Sequence, residues 1–95
     1  MDNRVFAQSG EFVLRAVGRD GVLVPIRNRV GDLDSIYTLT PVAIRIWSLI
    51  DGRTAAAEIV AKIAEEYDVS PDIAARDVAE LLDAFVEAGL IRLGS

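Results

Sequence analysis

Ser35-Ile36-Tyr37-Thr38-Leu39-Thr40-Pro41-Val42-Ala43 is the stretch on which the fold turns. Its first five residues alternate. In an extended chain Tyr37 and Leu39 share one face and Ile36 and Thr38 the other. Thr40-Pro41 then marks a helix start. A threonine hydroxyl accepts from first-turn amides, and proline has its φ preset and no N–H to leave unpaired. A short strand therefore runs directly into a helix. Working outward, the chain reads as strands up to about Thr38 and as helices from Thr40 onward.

On the N-terminal side, Phe12-Val13-Leu14-Arg15-Ala16-Val17 and Val22-Leu23-Val24-Pro25-Ile26-Arg27 are rich in β-formers. Gly18-Arg19-Asp20-Gly21 between them is a turn cluster, so the pair predicts a β-hairpin. Pro25 cannot donate to a ladder, which places it at a bulge or with its nitrogen turned away from a partner strand. Asn28-Arg29-Val30-Gly31-Asp32 reads as a polar loop.

On the C-terminal side the first helix carries Val42, Ala43, Ile46, Trp47 and Ile50 at helical spacing, with Gly52 as its stop. Thr54 is the expected cap of a second helix whose stripe is Ile59, Val60, Ile63, Ala64 and Tyr67. Ser70-Pro71 repeats the cap-and-proline signal. The third helix shows Ala74, Val78, Leu81, Leu82 and Phe85 on one face, and Gly89 ends it. Leu90-Ile91-Arg92-Leu93 reads as a tail that packs back on the core or pairs as a short strand. The class is α+β: a three-stranded antiparallel sheet followed by three helices, in an arrangement like a winged helix-turn-helix.

Composition narrows the function. The 95 residues predict one domain spanning 1–95, with little material for a deep pocket. With 52% apolar and 26% charged residues the chain is globular rather than disordered. The net charge of −5 disfavours nucleic acid and anionic membrane, both of which need a basic surface. Cysteine and histidine are absent. That removes disulfides, the soft ligands of structural zinc, and the side chain that titrates near neutrality. The N-terminus lacks an apolar run behind a basic start, so no signal peptide is expected, and no stretch approaches the length of a membrane span. A cytoplasmic location is the expectation, and no cofactor is predicted.

A family resemblance emerges from Ile36-Tyr37-Thr38-Leu39-Thr40-Pro41-Val42-Ala43-Ile44-Arg45-Ile46-Trp47-Ser48-Leu49-Ile50-Asp51-Gly52. A strand ending in leucine, a polar cap, an alanine, an isoleucine-tryptophan pair and an aspartate-glycine stop together resemble PqqD-like proteins. Thr54, Glu58-Ile59-Val60, Asp77-Val78, Leu81-Leu82, Phe85 and Gly89-Leu90 continue the pattern, so that about residues 11–93 are covered. One departure is Thr40, where the family usually has asparagine; both are N-caps. The resemblance implies a recognition element for ribosomally made, post-translationally modified peptides, whether in pyrroloquinoline quinone biosynthesis or another such pathway. Such domains bind a precursor's leader as an added antiparallel strand, in a groove between the third strand and the third helix. A radical S-adenosylmethionine enzyme or another tailoring enzyme then acts on the precursor.

The residues allow this. An edge strand offers free N–H and C=O groups to an extended peptide, and the stretch from Ser35 to Leu39 lacks proline and lysine, the usual blockers of edge pairing. The competing reading, an ordinary strand covered by the chain's own loop, is equally compatible with the pattern. The expected contacts are the backbone of Ser35, Ile36, Tyr37 and Thr38, with Arg76, Ala79 and Asp83 from the third helix. Alanines at 75 and 79 would admit a guest side chain, or they simply favour helix. Asp72, Asp77, Glu80, Asp83 and Glu87 are either a solvated face or a preference for basic residues in the guest. Tyr37 is open between the core and the groove, and Trp47 reads as a packed anchor.

Three other functions compete with this one. A winged-helix DNA reader would bring five carboxylates and one arginine on its recognition helix between two rows of phosphates, which argues against it. An enzyme would need a group tuned near working pH, and here only carboxylates and serines without a histidine are on offer, so no catalysis is expected. An adaptor is the third. The same strand can pair with a second copy, so the chain is a monomer or an edge-paired homodimer.

Overall fold

The computed structural model describes residues 2–26 and 36–94. In chain order the elements are β1 (Val5–Gln8), β2 (Phe12–Val17), β3 (Asp20–Pro25), β4 (Tyr37–Leu39), α1 (Pro41–Leu49), β5 (Asp51–Ala55), α2 (Ala56–Tyr67), α3 (Pro71–Glu87) and β6 (Ile91–Leu93). The strands form two antiparallel sheets, β2-β3-β4 and β5-β1-β6. The α+β class and the three helices are as expected.

The hairpin closes with Val17 opposite Asp20, around Gly18-Arg19. Gly18 has φ +63, a left-handed conformation that costs glycine little. Ile26 N–H donates to Glu11 C=O at 2.8 Å, which places Glu11 and Ile26 in the hydrogen-bonded phase of the ladder. Antiparallel pairs alternate, and the neighbouring pair Phe12–Pro25 is therefore of the non-bonded kind. Pro25 turns its nitrogen away from β2, which resolves the difficulty posed by a proline in a strand.

Phe12, Leu14, Gly21, Leu23, Tyr37 and Leu39 share the inner face of β2-β3-β4, and α1 packs on it. Gly21 makes that approach possible: a side-chain carbon there would lie 2.8 Å from Leu14 Cδ1 and 2.9 Å from Ile44 Cδ1. The buried core joins Leu23 and Leu39 to Ile46 and Trp47 of α1, Ile59 and Ile63 of α2, and Val78, Leu82 and Phe85 of α3. Trp47 meets Phe85 edge-to-face at 5.6 Å, the anchoring role its spacing predicts. The tail returns as expected. Leu90 and Ile91 are buried, and β6 pairs with β1 through Phe6–Leu93.

The second sheet is the main departure. Neither β1 nor β5 is among the strands expected, and helices do not fill everything after Thr40. Gly52 does not stop α1, which ends at Leu49 with Ile50 as its cap. Instead Gly52 sits in β5 at φ +80. Nor does Thr54 cap α2. The N-cap is Ala55, which makes no side-chain bond; the Thr54 hydroxyl donates to Asp51 Oδ2 at 3.1 Å. By contrast Thr40 and Ser70 cap α1 and α3 as read, accepting from Ala43 N–H at 3.2 Å and Ile73 N–H at 3.3 Å. Val42 and Tyr67 keep helical spacing but stay exposed at the rims of their stripes. The strand before Thr40 begins at Tyr37, and the loop expected at 28–32 lies outside the described residues.

Candidate functional site: the β4 edge and the flank of α3

β4 lies at the edge of its sheet, because β3 pairs with β2 on one side and with β4 on the other. The register decides which of its groups point outward. The bonded pair at Glu11–Ile26 sets the phase of the hairpin, so Val13–Val24, Arg15–Val22 and Val17–Asp20 are bonded pairs too. Val22 thus turns its N–H and C=O toward β2, and Gly21 and Leu23 turn theirs toward β4. Their partners are Leu39 and Tyr37, whose groups are consumed within the sheet. Thr38, opposite Val22, directs its N–H and C=O away from β3 into the open edge. Ile36 precedes β4, and continuing the strand by one residue would give it the same phase. No backbone bond among the described residues uses these outward groups.

Side chains sort by the same parity. Tyr37 is half-buried on the inner face, and its ring meets Phe12 edge-to-face at 6.2 Å across β3. The structure thus favours the core side for this residue. Thr38 and Ile36 are exposed on the outer face. Beyond β4, the Thr40 cap and Pro41 commit the chain to α1, so the edge has a fixed end.

The helix residues are positioned by α3, whose Val78 and Leu82 share the core with Leu39 of β4. The main packing partners of α3 are α2 and β6, and those of β4 are β3 and α1; among the described residues α3 and β4 share at most slight contact. Arg76 and Asp83 are exposed and Ala79 is half-buried. Asp83 lines a surface hollow of about 280 Å³ with Arg4, Phe6, Val86, Glu87 and Leu93. The flank of α3 that bears Asp83 therefore borders β1 and β6. Tyr37 and Thr38 lie on the edge strand with Ile36 just before it, while Arg76, Ala79 and Asp83 lie on α3, Asp83 on the flank that borders β1 and β6. Ser35 lies outside the described residues.

Arg4 forms one wall of this hollow. It is hydrogen-bonded to Asp2 through Nε at 3.0 Å and Nη2 at 2.8 Å, and its guanidinium lies 5.2 Å from the centroid of Phe6. The Asp2 hydrogen bonds, and secondarily the charge of Asp83, raise its pKa above the ordinary value. Sequence reasoning missed the hollow because its floor comes from three distant segments. Val5-Phe6-Ala7-Gln8 alternates over only four residues, too few to declare a strand.

The structure of TbiB1 in complex with the TbiA(beta) leader peptide is similar to this chain, with a TM-score of 0.73 and 27% sequence identity. The match covers 90% of this chain and 94% of TbiB1. Among curated proteins no sequence matches. The family model described as coenzyme PQQ synthesis protein D (PqqD) matches residues 20–91, from the start of β3 through all three helices to the first residue of β6. With most of its length inside that match, and with the strand-cap-helix signature at its centre, the chain belongs to the PqqD family.

Proposed function

We propose that this protein binds the leader segment of a ribosomally made precursor peptide as an added antiparallel strand on β4, and presents it to a separate modifying enzyme. The observation that carries this reading is the outward aim of the Thr38 N–H and C=O at an edge with no described partner. An extended peptide satisfies those groups and gains main-chain bonds that depend little on its sequence. The likeness to a protein bound to a leader peptide supports the same reading. On this reading the domain acts by binding, and a separate enzyme carries out the chemistry. The enzyme it serves is a radical S-adenosylmethionine enzyme or another peptide-tailoring enzyme.

Thr38→Pro tests this directly. Proline is tolerated on an edge where the N–H faces outward, and it holds the preceding Tyr37 in the extended region that a strand already uses. The variant should keep the wild-type circular dichroism and urea midpoint. It should bind a labelled peptide, selected on the wild-type protein from a random display library, at least about tenfold more weakly, since a main-chain bond is lost and bulk is added at the edge. Tyr37→Pro, which removes a bond to β3, should instead destabilise the fold. A folded Thr38→Pro protein that binds like wild type rejects strand addition.

A further inference from the structure

The outer face of β2-β3-β4 is the side away from α1, and its side chains form rows that run across the strands toward the open edge. Val13 lies opposite Val24, and Val22 opposite Thr38. Continuing the β3–β4 register by one residue sets Ile36 beside Val24. Val13, Val24 and Ile36 thus make one apolar row, open to solvent at 39% for Val13 and 45% for Ile36. Every member is branched at Cβ, the shape that packs well on a pleated surface. No charged side chain lies in this row. It ends at Ile36, on the edge where a guest strand would add.

We infer that the guest strand is selected on its outward side as well as along its backbone: the guest residue opposite Ile36 is an apolar, β-branched one that extends the row Val13–Val24–Ile36. This rests on the strand-addition reading above. The parity follows from the hydrogen bonding. Ile36 and Thr38 direct their N–H and C=O to the guest, so each forms a bonded pair with it, and both guest partners carry their side chains on the outer face. The guest residue between them opposes Tyr37 and points inward. The outer row therefore reads alternate guest positions. Opposite Ile36 it favours valine or isoleucine and disfavours carboxylates, which would be set against hydrocarbon on a strongly acidic protein.

The test is a specificity switch. A random peptide display library is selected in parallel on wild-type protein and on Ile36→Lys, with Thr38→Pro as the control. Ile36 is exposed, so the lysine variant should fold, and its urea midpoint checks this. Wild-type binders should share a valine or isoleucine at one position, and its replacement by serine should weaken binding about two- to fivefold. Ile36→Lys should move the preference at that same position to aspartate or glutamate, as opposed charges favour each other across strands. Binders that depend on Thr38 but show the same residue preference on both proteins overturn the outer-row inference and leave strand addition standing. Failure to recover any Thr38-dependent binder overturns both.

Discussion

Asp51 shows how one side chain can redirect the chain. Its Oδ1 accepts from the N–H of Arg53 at 2.9 Å and of Thr54 at 2.8 Å, and its Oδ2 accepts from the Thr54 hydroxyl. These bonds, with Gly52 in a left-handed conformation, turn the residues after α1 into β5 instead of letting α2 begin at once. Asp-Gly followed by threonine reads equally as a helix stop with a new cap. The difference lies in which amides the carboxylate captures, a tertiary outcome that spacing does not reveal. Accepting from the Arg53 amide first, and then from Thr54, lowers the Asp51 pKa below its ordinary 3.8. Glu66, bound bidentately by Arg45 at 2.8 Å, is likewise lowered from 4.5. A carboxylate with a depressed folded pKa stabilises fully above its unfolded value, and loses that contribution as pH falls through the folded one. The urea midpoint should therefore decline as the solution is acidified below about pH 4.5. Asp51→Ala should lower the midpoint at neutral pH and make the acid decline shallower. An unchanged acid slope in that variant would show that the turn is held by something else.

At the scale of elements, what was legible in the sequence was local. The hairpin, the strand that ends at Thr40, and the three helix stripes each declare themselves within a dozen residues through turn glycines, caps and periodicity. The β5-β1-β6 sheet does not. It joins residues near 5, 53 and 92, and its strands are three to five residues long. Such pairing is specified by the core it covers rather than by any strand's own pattern. The candidate site divides the same way. That an edge precedes Thr40 was legible, but that Thr38 rather than Tyr37 faces outward required the register. Where the flank of α3 points depends on its rotation against the sheets, which the sequence leaves undetermined. The missed sheet is no ornament, because Phe6 on its central strand is 3% exposed and joins the core. Phe6→Ala should cost about 3–5 kcal/mol in unfolding free energy, read from urea melts, because the site cannot collapse without moving β6 and α3. A loss below about 1 kcal/mol would place β1 outside the cooperative fold.

At the scale of the molecule, charge and hydrogen-bonding capacity are arranged separately. Before Thr40 there are five basic and five acidic side chains; from Thr40 onward there are five basic and ten acidic, so the whole net charge of −5 belongs to the helical half. The β2-β3-β4 sheet offers an open edge and, on its outer face, the apolar row that ends there, while the excess of carboxylates is carried by the helical half. The molecule is thin, 17 Å along its shortest axis, and the screening length in physiological salt is about 8 Å. Helical carboxylates within about that length of the β4 edge would act on an approaching peptide without touching it. Such a field acts mainly on encounter, raising the association rate of cationic partners and depressing that of anionic ones. Two versions of one selected peptide, differing only in lysines or glutamines beyond the paired segment, separate this effect from contact. In stopped-flow mixing the lysine version should associate several-fold faster at low salt, and lose that advantage as sodium chloride rises to about 0.5 M, where the field is screened within a few ångströms. Dissociation rates should differ little, since the added lysines lie outside the ladder. Equal association rates at low salt would mean that the acidic helices face away from the guest's path and that recognition is confined to the sheet.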